Sequence, residues 1–401
     1  MKAVILAAGE GKRMRPLTYE RPKVMLPIVG KPILEHLLKE VKEVGIRDFV
    51  FVVGYHDETI RSYFGSGEGW GINIEYVTQN RQLGTADALR IAEGLLEEKF
   101  VMLNGDTIVN AEDIKEIMSD SDNIMLGVTE VRNPEDYGVI EIKDERVVRI
   151  REKMMEPVSN LINAGVYFLN ERVFDALRRT EKSVRGEYEL TDSLQLLIDS
   201  DEAVFWKRIE HWLDVSYPWD LLTANELLIK DIRGESRGEV EDNVRIKGEM
   251  HIGESTLIKS GSYIEGPVFI GNNCEIGPNS YIRAYTSIGN NCHIGNAVEI
   301  KNSIVMDWTD IAHLSYVGDS IIGSRCNLGA GTKIANLRFD DAPVKVRGID
   351  TGRRKIGAII GDGVKTGINA SIDAGTIIGS DSLIGPGAFA SGCIGKGSRV
   401  Y

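Results

Sequence analysis

From Ile246 to Ile300 an isoleucine falls at every sixth position: 246, 252, 258, 264, 270, 276, 282, 288, 294 and 300. A small residue often follows four places later, as in "IGEST" (252), "IGNNC" (270), "IGPNS" (276), "IGSRC" (322) and "IGSDS" (378). A six-residue period predicts a parallel β-helix, each hexapeptide making one short strand and a turn. Three hexapeptides close a triangular coil with the aliphatic and the small residue pointing inward, and the Gly after the aliphatic is expected to relieve a tight corner. Met306 keeps the period, but Ile311 and Val317 fall one residue early. A register fault is therefore expected within "IAHLSYVGD" (311–319), projecting His313 into a groove. The period lapses again at "RFDDAPVKVRGIDTGRRK" (338–355) and returns at "IIGDGV" (359), which predicts an outward loop.

The first ~230 residues follow another pattern. Short β-branched runs ("AVIL" at 3, "FVFVV" at 49, "FVML" at 100, "VYFL" at 166) alternate with helix-period segments such as "KPILEHLLKEVKEVG", which has Pro32 near its start and Gly45 as its stop. This alternation predicts an α/β layer fold with a largely parallel sheet. A last helix is expected from about 218 to 233, with a Gly/Ser-punctuated break after it. The expected domains are 1–235 and 236–401.

The composition, 42% hydrophobic and 27% charged, is that of a globular chain. A net charge of −13 argues against nucleic acid or an anionic membrane surface as the main partner, while leaving anionic small molecules open. "MKAVILAAGEGKR" is too short and wrongly flanked for a secretory signal. No apolar run reaches membrane-helix length, so a cytoplasmic location is expected. Of the four cysteines, Cys274, Cys292 and Cys326 occupy the small inward position of the repeat and are expected to be filler. No C-x-x-C pair supports a zinc or redox site.

The opening strand runs into "LAAGEGKRMRPL", where Gly and Ala permit close backbone approach and Lys12, Arg13 and Arg15 supply positive charge, as a phosphate cradle requires. It is neither G-x-G-x-x-G, since Met14 stands in the third position, nor a Walker A. The longer string "LAAGEGKRMRPLTYERPKVMLPIVGKPIL" resembles the signature of the sugar-phosphate nucleotidylyltransferases. In order follow "QNRQLGTADAL" (79–89), "LNGDTI" (103–108), "DYGVI" (136–140), "EK" (152–153), "NAGVY" (163–167) and "WLDVS" (212–216). The resemblance implies a Rossmann-like domain that joins a nucleoside triphosphate to a sugar 1-phosphate and releases pyrophosphate. Such chemistry needs positioning and charge neutralisation, and the attacking phosphate oxygen is already anionic, so no general base is required. By resemblance Asp106 and Asp214 hold Mg²⁺, Arg13 grips the triphosphate and Lys23 holds the sugar phosphate. Leu6, Ala7, Ala8 and Gly9, with Gln79, Gly84 and Thr85, read the base. Gly138, Glu152, Asn163 and Gly165 line the sugar pocket. "KVMLP" and Asp214 look more like hexose thymidylyl- or guanylyltransferases than bacterial uridylyltransferases, which leaves the nucleotide and sugar open.

In the second half "NAVEIKNS" (296–303), "HLSYVGD" (313–319), "NLGAGT" (327–332) and "IANL" (334–337) resemble the acetyltransferase half of a bifunctional family. That family makes UDP-N-acetylglucosamine from glucosamine 1-phosphate, acetyl-CoA and UTP. The resemblance implies a left-handed β-helix and a homotrimer with acetyl sites between neighbouring columns. A sugar amine must lose a proton before attacking a thioester, and histidine suits the task. By position His313 is the base, with Glu299 orienting its ring. Tyr316, Asn327 and Asn336 hold the sugar, and Arg283 and Lys301 its phosphate. Ala330 is a candidate contact to CoA. The 338–355 loop carries six Lys/Arg against three Asp, and its Arg353, Arg354 and Lys355 are candidate clamps for the CoA phosphates. Leu337 stands where an aromatic is common. An alternative reading is a single-function nucleotidylyltransferase, of the GDP-mannose or dTDP-glucose type, whose β-helix only assembles or regulates. A non-catalytic scaffold or translation-factor subunit shares the two-part layout, but retention of Arg13, Lys23, Asp106 and Asp214 speaks against it.

Overall fold

The computed structural model describes residues 1–119, 122–152 and 158–401. The chain forms two compact units. One comprises Met1–Glu10, Arg21–Met25 and Ile33–Asp214; the other comprises Gly11–Glu20, Leu26–Pro32 and Val215–Tyr401.

In the first unit the predicted β-branched runs become strands Lys2–Ala7, Asp48–Val53, Lys99–Asn104 and Leu161–Asn170. They lie in a nine-stranded sheet ordered 73–78, 48–53, 2–7, 99–104, 161–170, 124–130, 204–208, 146–152 and 138–143. The first four strands are parallel. Strand Leu161–Asn170 runs antiparallel to both its main neighbours, so the far half of the sheet is mixed. Alternate residues of the first strand enter opposite cores, Ala3, Ile5 and Ala7 one and Val4 and Leu6 the other, because helices cover both faces. Helix Ile33–Glu43 fills the predicted amphipathic segment. The sheet order reverses between strands 2–7 and 99–104. Beyond the carboxyl ends of strands flanking such a switch point lies the natural ligand crevice of an open α/β sheet.

In the second unit the helix expected over 218–233 runs from Pro218 to Leu228 and ends in a 3₁₀ turn, Ile229–Asp231. The hexapeptides form a left-handed parallel β-helix of three ladders with nine, nine and eight strands. Its interior is one column of stacked aliphatics from Ile252 to Ala390, joined by buried Cys274, Cys292 and Cys326 as predicted. All four thiols are free, and Cys393 is exposed.

Two sequence-based expectations about the repeat need correction. Left-handed corner residues such as Asn273 (φ 56°), Asn291 (φ 56°) and Arg325 (φ 57°) stand three places after the aliphatic rather than directly after it, Gly277 (φ 98°) in "IGPNS" being an exception. The Gly after the aliphatic is required by stacking: a Cβ on Gly271 would lie 2.8 Å from the backbone of Gly289 one coil on. The register fault is also elsewhere. Ile288 pairs with Val305, not Met306, and Ile300 with Val317. The inward step from Ile300 to Val305 is thus 305 − 300 = 5 residues, and that from Val317 to Ile322 is again 5. Between them, Val305 to Ile311 and Ile311 to Val317 are ordinary steps of six. The shortened corners are therefore at 302 and 319, and His313 sits on a corner of normal length.

No helix among the described residues is long and apolar enough to cross a membrane.

Candidate active sites

The sequence-predicted residues of the first unit gather at the switch point. Gly105 N–H donates to Leu6 O (2.9 Å), and Ala8 O accepts from Tyr55 N–H (3.2 Å) and the Gln82 amide (3.4 Å). These bonds carry the chain from Leu6 through Ala7 and Ala8 to Gly9 across the carboxyl ends of the parallel strands. A Cβ on Gly9 would meet nothing within 4 Å, so packing does not demand glycine there. The open space beside its backbone is what close approach to a ligand needs.

Gln79 is buried, and its amide donates to Gly84 O (3.1 Å) and the Asp87 carboxylate (3.0 Å). It holds the "QLGT" loop in place rather than projecting from it. Gly84 has φ +109°, and a Cβ there would lie 2.3 Å from Tyr188 O. Thr85 Oγ1 accepts from Leu190 N–H (3.0 Å), fastening the same loop to helix Leu190–Asp199. Gly138 faces Glu152, whose Oε1 accepts from Thr191 (2.8 Å). Lys153, the second residue of the "EK" marker, lies outside the described residues. Asn163 donates to Tyr167 (2.5 Å), and a Cβ on Gly165 would strike the Asn104 amide at 2.5 Å. Burial pushes the Tyr167 phenol up, so it stays protonated.

The two aspartates are brought together by two adjacent short strands, Asp106 just before one and Asp214 at the end of the other. Thr107–Ile108 pairs antiparallel with Leu213–Asp214, Asp214 lying opposite Thr107 beside Asp106. Lys23 Nζ bonds directly to Asp106 Oδ2. Lys23 thus neutralises the candidate metal ligand, a contact sequence reasoning did not foresee. Two carboxylates alone are a poor cage for a divalent cation, and among the described residues no group of three or more His, Cys, Asp or Glu is placed to hold a metal ion. Hard oxygen ligands completed by substrate phosphates are nonetheless what Mg²⁺ takes, so the donor set fits.

Arg13 belongs to the second unit by packing. Its guanidinium donates to Ser216 Oγ (3.2 Å) and lies over the Tyr217 ring, 5.2 Å from the centroid. Tyr217 in turn stacks on Trp219 at 4.7 Å. This aromatic seat was missed, although "VSYPW" after Asp214 carried the signal.

On the β-helix, one ladder presents Arg283, Glu299, Lys301 and Tyr316 in successive coils. Tyr316 OH accepts from the Asn336 amide (3.2 Å). Burial, and then the Asp319 charge, raise the Tyr316 phenol. Arg283 pairs with Glu299 (2.9 Å), and Lys301 with buried Asp319 (3.0 Å), so both cations assigned to phosphate already carry a carboxylate. Glu299 is therefore engaged by Arg283 rather than oriented on His313. His313 is exposed at the corner before this ladder, with its Nδ1 accepting from Asn296 N–H (3.2 Å). That bond puts the proton of a neutral ring on Nε2. Asn327 lies on the preceding ladder opposite Asp310, away from Tyr316. Ala330 sits on the corner stacked above His313, Gly331 N–H donating to His313 O (2.8 Å).

The basic loop also differs from expectation. Arg353 does not project outward: it donates to Thr223 Oγ1 (2.9 Å) and bonds Glu226 on helix Pro218–Leu228. Its counterpart Arg354 is exposed and paired with Asp341 within the loop (2.6 Å). Lys355 bridges backbone-to-backbone with Leu337.

Residues 2–231 match the nucleotidyl transferase family model, and residues 264–396 match the GMPPB C-terminal domain model. The "Bifunctional protein GlmU" of Methanococcus maripaludis is 47% identical over 100% of this chain and 97% of its own length. That of Methanocaldococcus jannaschii is 42% identical with the same coverage. A "bifunctional sugar-1-phosphate nucleotidylyltransferase/acetyltransferase" of Sulfurisphaera tokodaii is 42% identical over 99% of each chain. Among solved structures, a Bacillus anthracis chain provisionally described as a glucose-1-phosphate thymidylyltransferase, in complex with sucrose, matches with a TM-score of 0.53 at 28% identity, over 59% of this chain and 98% of its own. With its switch-point aspartates, its β-helix and relatives alike from end to end, the chain belongs to the family of bifunctional sugar-1-phosphate nucleotidylyltransferases and acetyltransferases.

Proposed function

We propose that this enzyme makes a nucleotide sugar by two reactions housed in residues 1–235 and 236–401. The β-helix half transfers acetyl from acetyl-CoA to the amine of glucosamine 1-phosphate. The N-terminal half then joins the sugar phosphate to UTP or dTTP and releases pyrophosphate. The observation that carries this reading is end-to-end similarity to relatives named for both activities, together with two separate polar sites in one chain.

In the nucleotidyl step a sugar-phosphate oxygen bonds the α-phosphorus as the bond to the pyrophosphate oxygen breaks, so both products leave as anions. Asp106 and Asp214 would hold Mg²⁺, which when bound would supply the positive charge that neutralises the phosphates of the two substrates. Lys23 exchanges its Asp106 partner for the sugar phosphate, and Arg13, steadied on Tyr217, binds the triphosphate. The Leu6–Gly9 backbone reads the base, supported by the loop that Gln79, Gly84 and Thr85 hold. Gly138, Glu152, Asn163 and Gly165 shape the sugar pocket.

In the acetyl step the free amine attacks the thioester carbonyl, the C–S bond breaks, and CoA leaves as a thiolate that receives the proton His313 has removed from the amine. His313 takes the amine proton at Nδ1, the nitrogen with the lone pair, once Asn296 N–H lets go. Tyr316 and Asn336 hold the sugar, Arg283 and Lys301 its phosphate, and Ala330, Arg354 and Lys355 face CoA. Exposure of His313 on a lone column supports a homotrimer in which a neighbouring chain closes the site.

The C-terminal match to a GMPPB domain favours a second reading, a nucleotidylyltransferase whose β-helix does not acetylate. Release of CoA thiol from acetyl-CoA with glucosamine 1-phosphate, abolished by His313→Ala, separates the two. Pyrophosphate release across UTP, dTTP and GTP assigns the nucleotide. No thiol release with any amino-sugar phosphate would overturn the first reading.

A further inference from the structure

The shortened corners of the β-helix build a polar hub. Asn302 (φ 44°) and Asp319 (φ 49°) occupy these corners in consecutive coils, both left-handed. Asp319 is 3% exposed, and a carboxylate so buried must be compensated. It accepts from Lys301 Nζ (3.0 Å), Asn302 Nδ2 (3.0 Å) and Asn336 Nδ2 (2.5 Å). A carboxylate only accepts, so Asn336 must turn its NH₂ towards it. The other N–H of that NH₂ goes to Tyr316 OH at 3.2 Å. Two consequences follow. Asn336 Oδ1 faces away from the hub as an acceptor, and the Tyr316 hydroxyl, accepting from Asn336 on one side, has its own hydrogen available to donate outward. Gly318 permits this: a Cβ there would lie 2.5 Å from Tyr316 OH and 2.7 Å from Asn336 Nδ2.

We propose that Asp319 is a positioning residue for acetyl transfer, fixing Asn336 and Tyr316 as an outward acceptor–donor pair that recognises the amino-sugar phosphate. The inference rests on the acetyl-transfer reading above. Asp319 itself touches no substrate; it acts through the two side chains it orients, and its tie to Lys301 draws that ammonium towards the same face.

The test is steady-state acetyl transfer by the full-length enzyme. Asp319→Asn keeps the shape but lets either amide face Asn336, so the orientation is no longer dictated. The KM for glucosamine 1-phosphate is expected to rise roughly ten- to a hundredfold, with that for acetyl-CoA within about twofold. Tyr316→Phe should cost about tenfold in kcat/KM in the parent enzyme and under about twofold in the D319N background, because both changes break one relay. Multiplicative effects of the two changes, or a loss shared equally by both substrates, would overturn the proposal. Should D319N not fold, Asn336→Ala is expected to reproduce the KM split, and an unchanged sugar KM in that variant refutes it. A parent enzyme that never acetylates glucosamine 1-phosphate sinks the parent reading and this inference together; an active parent with a fully active D319N sinks this inference alone.

Discussion

Replacing Arg353 by Ala separates the side chains that hold the β-helix unit together from those that face a substrate. The change removes bonds to Thr223 Oγ1 (2.9 Å) and Glu226 Oε2 (3.5 Å) and the contact with Glu226 Oε1. Arg353 is 20% and Glu226 29% exposed. The pair is therefore more than a surface bridge at ~0–1 kcal/mol and less than a buried pair whose breaking costs ~3–5 kcal/mol. Asn302 still donates to Glu226 at 2.8 Å, so the carboxylate is not stranded. The loss works out at about 2 kcal/mol. At ~2–4 °C per kcal/mol for a unit of roughly 200 residues, its calorimetric transition falls by about 4–8 °C. Arg354, 58% exposed beside a 63% exposed Asp341, is screened by water, and Arg354→Ala should move the transition by less than about 2 °C. The acetyl-CoA KM should run the other way, within about twofold for R353A and raised roughly fivefold for R354A combined with Lys355→Ala. An R353A enzyme that melts like the parent yet needs tenfold more acetyl-CoA would refute the assignment.

Asp106→Asn and Asp214→Asn should each lower pyrophosphate release by roughly a hundredfold or more while leaving acetyl transfer intact; loss of both activities together would point to misfolding instead. Gly84→Ala forces a Cβ into Tyr188 O at a φ of +109°, so the "QLGT" loop must move, and the KM for the nucleotide is expected to rise at least about tenfold in the same assay. Burial pushes the Cys326 thiol up to about 12, and Cys274 and Cys292 are buried in the same column, so at pH 8 a chromogenic disulfide should label only Cys393 in the native protein and all four thiols after denaturation. Rapid native labelling of a second thiol would mean that the column opens.

Much of the fold was legible because both halves carry strong periodic signals. The hexapeptide aliphatics form an uninterrupted interior column, and the β-branched runs form the central strands. The antiparallel direction of Leu161–Asn170 was not legible, since a buried strand of either direction reads as one apolar run. Candidate site residues were named only where a motif carried them, as with Asp106 and Asp214. Their partners came only from the fold: Lys23 on Asp106, Tyr217 under Arg13 and Glu226 on Arg353 are joined by tertiary packing over separations no local pattern records.

The misplaced register fault has a physical cause of the same kind. Counting sixes works when one face of a strand is apolar and the other polar, because only one residue can then be the inward one. At "IVM" (304–306) all three residues are apolar, and all three are buried: Ile304 2%, Val305 1% and Met306 1%. Val305 points into the column, whereas Ile304 and Met306 are buried outside it. Ile321, Ile359 and Ile377 continue that outer stripe along the same ladder, so the sheet is covered on both faces. A strand covered on both sides offers three equivalent candidates for the inward place, and Met306 was the one that kept the count. The missing residue had in fact gone from the corner before it, and a second from the corner before Ile321. The two shortened corners carry Asn302 and Asp319, which bond to each other and, through Asp319, to Asn336, while His313 stands exposed on a corner of ordinary length.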